Sequence, residues 1–324
     1  MAESKKHIQE IDALKGWAIF SVVLGHAIIV YPIDLHANYY CSVLFAFFSS
    51  FHVRLFFLVS GFCFSFRGDY LEYIKKKVFR LLIPYYSFCM IEMIAKLVFS
   101  GQINRPRSMG EFITRMLFYG GDYWFLWTLF MMFLFSPLLY RLLKRGVGWE
   151  IGCLLAVLVI SLITVKIDLF CIEDLAKFYF WFVAGVVFRM HWNSKRLTGP
   201  ASLYILAVLI LTAAQLFLIC ERPFPYSVRV FFCGNIGVIL SILLARFSCF
   251  NAAFSRFGKY SLQLYLLNGV LLGISRIVIC NFLGVTVPAV IIAFNMLIDF
   301  FLSYLLIKYV LSKIPFVRTL MGMV

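Results

Sequence analysis

The chain has 324 residues, 63% of them hydrophobic and 14% charged, with a mean hydropathy of +0.94 and a formal net charge of +15. Soluble domains run at about 45–50% apolar and about 25% charged, so this composition excludes an ordinary soluble domain and indicates a polytopic membrane protein. Such an excess of cations would suit nucleic acid, but their placement along the chain argues for membrane topology instead.

Apolar runs near bilayer length predict spans at 11–30, 40–66, 78–100, 122–143, 150–168, 173–190, 200–220, 228–246, 259–282 and 285–311. The expected fold is an all-α bundle of about ten transmembrane helices, one integral membrane domain over 1–324 with no soluble domain and both termini on one side. On that topology 20 of the 30 Lys and Arg fall on the side of the termini and 7 on the other, while Arg54, Lys96 and Arg276 lie inside spans. The positive-inside rule then makes both termini cytoplasmic, with a short N-terminus over 1–10 and a tail over 312–324. The N-terminal MAESKKHIQE is polar and no small-residue cleavage site follows the first apolar run, so a removed signal peptide is not expected. Nine scattered cysteines form no CxxC pair, which predicts no zinc site and no necessary disulfide. One pairing among Cys41, Cys171, Cys220 and Cys280 stays conceivable.

The first span carries Asp12, Lys15 and His26 in an otherwise apolar run. Eleven positions at about 100° each bring Lys15 and His26 onto one helix face, about 16 Å apart. In the second span His52 and Arg54 must face protein or a water-filled cavity, because ionisable groups are costly in lipid. Ser60-Gly61 permits either close helix approach or a local break. The following RGDYLEYIKKKVFRLLIPYY is the most basic stretch, with Lys77 and Arg80 neighbours on a helix face and Pro84 at a kink or helix start. Such cations bind either anionic headgroups or the phosphates of a nucleotide-like donor.

Glu92 and Lys96, four apart, should neutralise each other. Tyr123, Trp124 and Trp127 read as interfacial belt residues, with stacking on a sugar face as the alternative. Gln215 and Asn235 are expected to make helix–helix hydrogen bonds. Tyr260 and Ser261 stand at the mouth of the ninth span, which carries Asn268. Asn295 and Asp299 follow in the last, where a lone Asp should face the bundle.

No GxSxG, HExxH, P-loop or GxGxxG motif is present, which leaves His26 as the candidate general base: a neutral imidazole can take a proton from an attacking hydroxyl. Lys15 and His26, spaced Lys-x(10)-His, resemble the opening helix of the acyltransferase-3 family of membrane O-acyltransferases. FHVRLFFLVSGF (51–62), KKKVFRLLIPYY (75–86) and FGKYSLQLYLLN (257–268) are similar to that family's later blocks, in the same order.

The resemblance implies transfer of an acyl group, usually acetyl, from cytoplasmic acetyl-CoA, a substrate rather than a bound cofactor, to a sugar hydroxyl of an envelope glycan or glycolipid. It would place the chain in the bacterial inner membrane. By matched positions His26 is the catalytic histidine, Lys15 its basic partner, Lys77 and Arg80 the donor-associated pair, and Ser60 and Gly61 the element beside the site. Asp12 and Asn268 would support the site, and on the sugar-stacking alternative read from the residues themselves Trp124 and Trp127 would face the acceptor. Lys15 stands where Arg is common, Asn268 replaces a histidine, and Arg54 replaces a frequent proline. A transporter of glycan precursors is the alternative from another class, since intramembrane charges also mark substrate paths. A non-enzymatic scaffold would not require the Lys15 and His26 alignment.

Overall fold

The computed structural model describes residues 8–66, 68–99, 107–163, 166–192 and 200–323. Among the cations assigned to one side or the other, Lys5, Lys6, Arg67, Arg105, Lys195 and Arg196 lie outside the described residues. The helices are α1 (Gln9–Ala27), α2 (Tyr39–Ser49), α3 (His52–Phe62), α4 (Tyr70–Val98), α5 (Met109–Phe118), α6 (Trp124–Leu143), α7 (Val147–Leu162), α8 (Ile172–Met190), α9 (Ala201–Cys220), α10 (Tyr226–Leu244), α11 (Ser248–Gly258), α12 (Ser261–Phe282), α13 (Pro288–Lys313) and α14 (Pro315–Leu320). No strand occurs among the described residues.

Seven segments among the described residues are long and apolar enough to cross a membrane: Tyr39–Phe62, Tyr70–Val98, Met109–Leu143, α9, α10, α12 and α13. The chain is an integral, multi-pass membrane protein. Helices also occupy the other three predicted positions, but α1 carries Glu10, Asp12 and Lys15, α8 carries Glu173, Asp174, Lys177 and Arg189, and α7 has only 16 residues.

Helix α1 is the central column, in contact with α2, α3, α11, α12 and α13. Its Ala13, Ala18, Ile19, Val23 and Ala27 are fully buried. Small residues allow this. A Cβ on Gly16 would lie 2.0 Å from the Phe254 carbonyl oxygen, and one on Gly258 would lie 1.8 Å from that of Asp12, so α1 and α11 touch backbone to backbone. Gly61 of α3 and Gly185 of α8 interlock the same way, each facing a carbonyl of the other helix. Trp17 locks the column laterally: its ring packs on Phe48, Phe51, Phe250 and Phe254, and Nε1 donates to Ser241 Oγ at 3.1 Å.

The second predicted span is broken in the middle, between α2 and α3, at Ser50-Phe51. A break inside a membrane-spanning segment exposes carbonyls that lipid cannot satisfy, and three side chains serve them here. Gln215 of α9 donates to the Phe47 carbonyl (3.2 Å) and to Ser50 Oγ (3.0 Å), His52 Nδ1 meets the Phe48 carbonyl at 2.9 Å, and Arg54 donates to the Ser50 carbonyl. Arg54 thus has a structural task that the sequence left unexplained, and its guanidinium lies against Gly234, where a side chain would leave no room. Gln215 makes the expected interhelical bond. Asn235 does not: its amide donates to Phe231, one turn back in its own helix.

Among the described residues three π-helical turns interrupt the α-helical register, at Val78–Leu82, Ile277–Phe282 and Leu297–Leu302. Pro84 follows the first of them inside continuous helix. The expected C-terminal tail packs back on the bundle: Met321 is buried, its carbonyl accepts from Gln263 Nε2 at 3.0 Å, and Gly322 abuts the Arg80 carbonyl. All nine cysteines are free thiols.

Candidate active site

Two cavities lie end to end beside α1. The first, of about 490 Å³, is lined by the cations Lys15, Lys77, Arg80 and Lys259, with Asp12 as the one carboxylate among the described residues, and by Ser60, Cys63, Gln263 and Gly322. Lys15 reaches it from the second turn of α1 and is 3.4 Å from Asp12. Lys77 closes the last α-helical turn before the π turn that carries Arg80, and its ammonium lies over the Phe133 ring, 3.6 Å from the centroid. One carboxylate against four cations leaves this basic cavity electropositive, suited to a polyanionic ligand.

The second cavity, of about 300 Å³, is lined by His26 and His52 with Glu92, Lys96, Asp122, Tyr123, Trp124 and Asn268. His26 sits in the last turn of α1, where its ring is open to the cavity although the flanking Leu24, Gly25 and Ala27 are buried. On the opposite wall Lys96 bridges Glu92 (2.5 Å) and Asp122 (2.7 Å), and Arg107 extends the chain to Asp122 at 3.2 Å. The expected Glu92–Lys96 pair is therefore half of a longer ionic chain. Asn268 donates from Nδ2 to Asp299 at 2.5 Å, which fixes the plane of its amide. Asn295, four residues before Asp299, accepts from Ser275 and donates to the carbonyl of Ala27, next to His26.

The cavities share three lining residues, Phe56, Phe125 and Tyr265. Their rings touch in series, with centroids 5.6 Å apart for Phe56–Phe125 and 5.5 Å for Phe125–Tyr265. An aromatic constriction thus separates a basic chamber from an imidazole chamber. The unbroken helix between Lys15 and His26 spans it, rising about 16 Å.

Of the residues singled out in the sequence, Asp12, Lys15, Ser60, Lys77 and Arg80 line the basic cavity, and His26, Trp124 and Asn268 line the imidazole cavity. Gly61 lines neither: it is the contact point with the Phe182 carbonyl. Trp127 faces away from both, packed on Tyr85, Tyr86 and Phe170. The belt reading fails for Tyr123, which is buried and donates to the Leu266 carbonyl at 3.1 Å. Sequence reasoning missed Phe56, Phe125 and Tyr265 as site residues, because only tertiary packing brings α3, α6 and α12 to one constriction, and missed Asp122, whose part shows only in its ion pairs with Lys96 and Arg107.

A family profile described as Acyltransferase domain matches residues 8–312. The chain belongs to this acyltransferase family. The matched region contains both cavities apart from Gly322, so the acyltransferase unit and the two-chamber bundle coincide. The chain is also similar to the Nodulation protein NolL of Sinorhizobium fredii (strain NBRC 101917 / NGR234), 29% identical over 160 residues. That match covers 47% of this chain and 42% of the relative, so the chain spans less than half the length of the curated relative it matches. No solved structure matches it. Within this acyltransferase the layout is a basic chamber, an aromatic constriction and a chamber lined by His26 and His52.

Proposed function

We propose that this acyltransferase moves an acetyl group from acetyl-CoA to a sugar hydroxyl of a cell-envelope glycan or glycolipid. The observation that carries the reading is the pair of cavities meeting at Phe56, Phe125 and Tyr265, one with Lys15, Lys77 and Arg80, the other with His26. The phosphates of coenzyme A bind in the basic cavity, where Arg80 supplies a planar fork and Lys15 and Lys77 supply charge. The pantetheine arm passes the aromatic constriction and brings the thioester to His26. The acceptor enters the imidazole cavity against Trp124 and the Glu92–Lys96–Asp122 chain. Ring faces and carboxylates of this kind suit sugar CH faces and hydroxyls.

His26 takes the proton of the acceptor hydroxyl as that oxygen bonds to the acyl carbon. The carbon–sulfur bond then breaks and His26 returns the proton to the sulfur, releasing the thiol of coenzyme A. No net proton is consumed. Asp12 pairs with Lys15 and Asn268 presents its amide to the cavity; both support the site. On this reading the ten-helix topology puts both termini and the basic cavity in the cytoplasm of a bacterial inner membrane, where the donor is made.

The test is acetyl transfer by the purified protein in lipid nanodiscs, with labelled acetyl-CoA and delipidated envelope glycan, alongside mass spectrometry of the glycan from a deletion strain. Loss of acetyl groups from an otherwise intact glycan is expected. Loss of the whole glycan, with no label transfer by the wild-type protein, would overturn the reading in favour of precursor transport.

A further inference from the structure

His52 lines the same cavity as His26 from the first turn of α3. Its Nδ1 is 2.9 Å from the carbonyl oxygen of Phe48, one of the carbonyls released by the break between α2 and α3. A carbonyl only accepts, so this contact requires Nδ1 to carry the proton, and the neutral ring then has its lone pair on Nε2. The helix break thereby fixes a tautomer: His52 is held as a hydrogen-bond acceptor. His26 shows the opposite condition. Its ring has no hydrogen-bond partner among the described residues, and it lines the same cavity as His52.

A general base works when a third group orients it, as in every nucleophile–base–orienter arrangement. The carboxylates that line the cavity, Glu92 and Asp122, are engaged with Lys96 and Arg107. Among the neutral acceptors that line the cavity is the imidazole fixed by Phe48, which shares that wall with His26.

We propose that His52 is the positioning residue for His26: as the unpartnered ring of His26 turns within the cavity the two share, His52 Nε2 accepts its N–H, so that the other nitrogen of His26 presents its lone pair to the acceptor hydroxyl. When His26 takes the hydroxyl proton it becomes an imidazolium, and the same hydrogen bond to His52 Nε2 stabilises it until the proton leaves for the departing sulfur. His52 itself neither gains nor loses a proton over the cycle. The inference rests on the acyl-transfer reading and adds a second imidazole to it.

Two substitutions separate this role from a structural one. Asn places an amide N–H where Nδ1 stands, so His52→Asn keeps the bond to Phe48 and removes the acceptor at Nε2. Gln reaches the position of Nε2 with its amide oxygen, so His52→Gln keeps an acceptor and gives up the bond to Phe48. Both variants, with the wild type and His26→Ala, are assayed for acetyl transfer in nanodiscs, with coenzyme A binding measured separately as a thermal shift. The expected result is that His52→Asn binds coenzyme A like the wild type but loses about a hundredfold or more in kcat, with the KM for acetyl-CoA unchanged. His52→Gln should recover a substantial part of that loss. Wild-type kcat in His52→Asn, or a greater loss in His52→Gln than in His52→Asn, would overturn the proposal and make His52 a bridge across the helix break alone. Absence of transfer by the wild-type protein is a separate result and would remove the acyl-transfer reading itself.

Discussion

At the scale of single residues, the proposed reaction gives the two ends of the α1 face separable tasks. His26→Ala removes the base, and kcat should fall by about 10²- to 10⁴-fold while coenzyme A binding is retained. Lys15→Ala removes a cation from the basic cavity. A charge-assisted hydrogen bond contributes about 1.5–3 kcal/mol, so the KM for acetyl-CoA should rise by about ten- to a hundredfold with kcat little changed. Steady-state kinetics on the two variants decide the assignment, and a kcat effect in Lys15→Ala equal to that in His26→Ala would defeat it. Much of this pair was legible in the sequence, because a helix with a fixed rise turns a spacing into a distance. Asp299 was legible as a residue facing the bundle, but its grip on Asn268 was not. That contact depends on the π turn over Leu297–Leu302, which shifts the face of α13 and leaves no mark in the composition.

The elements add what single residues cannot hold. Phe56, Phe125 and Tyr265 come from α3, α6 and α12 and close the passage by ring contact. On the proposed reading these rings pack around the pantetheine arm and limit the water that follows it from the basic cavity to the thioester, and exclusion of water suppresses side reactions such as hydrolysis. Phe125→Ala should therefore raise acceptor-independent hydrolysis of acetyl-CoA severalfold, read as free thiol released in the absence of glycan; unchanged hydrolysis would mean that the rings are packing alone. The frame around the passage rests on small residues. Gly258→Ala sets a methyl group against the Asp12 carbonyl, where only backbone movement can relieve the overlap, and overpacking of this kind costs about 1–3 kcal/mol. A lower melting temperature in detergent is expected, with weakened donor binding, because Asp12 and Lys15 ride on the displaced turn. Helices at the predicted positions were visible as apolar runs. The break at Ser50-Phe51 was not, since an uninterrupted apolar stretch gives no sign of where its carbonyls lose their partners. His52, Arg54 and Gln215 were its only trace, three polar residues whose common purpose appears once α2, α3 and α9 are in place.

At the scale of the whole molecule, the proposed reaction requires the chambers to open on opposite sides of the membrane, the basic one to the cytoplasm. Cys63 can report this, because it is exposed and lines the basic cavity with Ser60, Lys77 and Arg80. Cys41, Cys89, Cys171 and Cys233 are buried, whereas Cys249 is exposed and Cys153, Cys220 and Cys280 are partly so, and the other eight would be replaced by Ala or Ser to leave Cys63 as the single thiol. A membrane-impermeant maleimide should then label inverted vesicles, whose cytoplasmic face is outward, and spare right-side-out vesicles until the membrane is permeabilised. Coenzyme A should slow the labelling, since the arm that crosses the constriction must pass the same wall. Glycan acceptor alone should not, because it enters beyond Phe56, Phe125 and Tyr265. Labelling of intact right-side-out vesicles would reverse the topology and put the cations where no acetyl-CoA is available. Cytoplasmic labelling that coenzyme A leaves untouched would keep the topology and move the donor out of the basic cavity. The charge bias along the sequence gives the first half of this expectation through the positive-inside rule. The second half needs the folded molecule, because only there do Lys15, Ser60, Cys63 and Arg80, from α1, α3 and α4, surround one space.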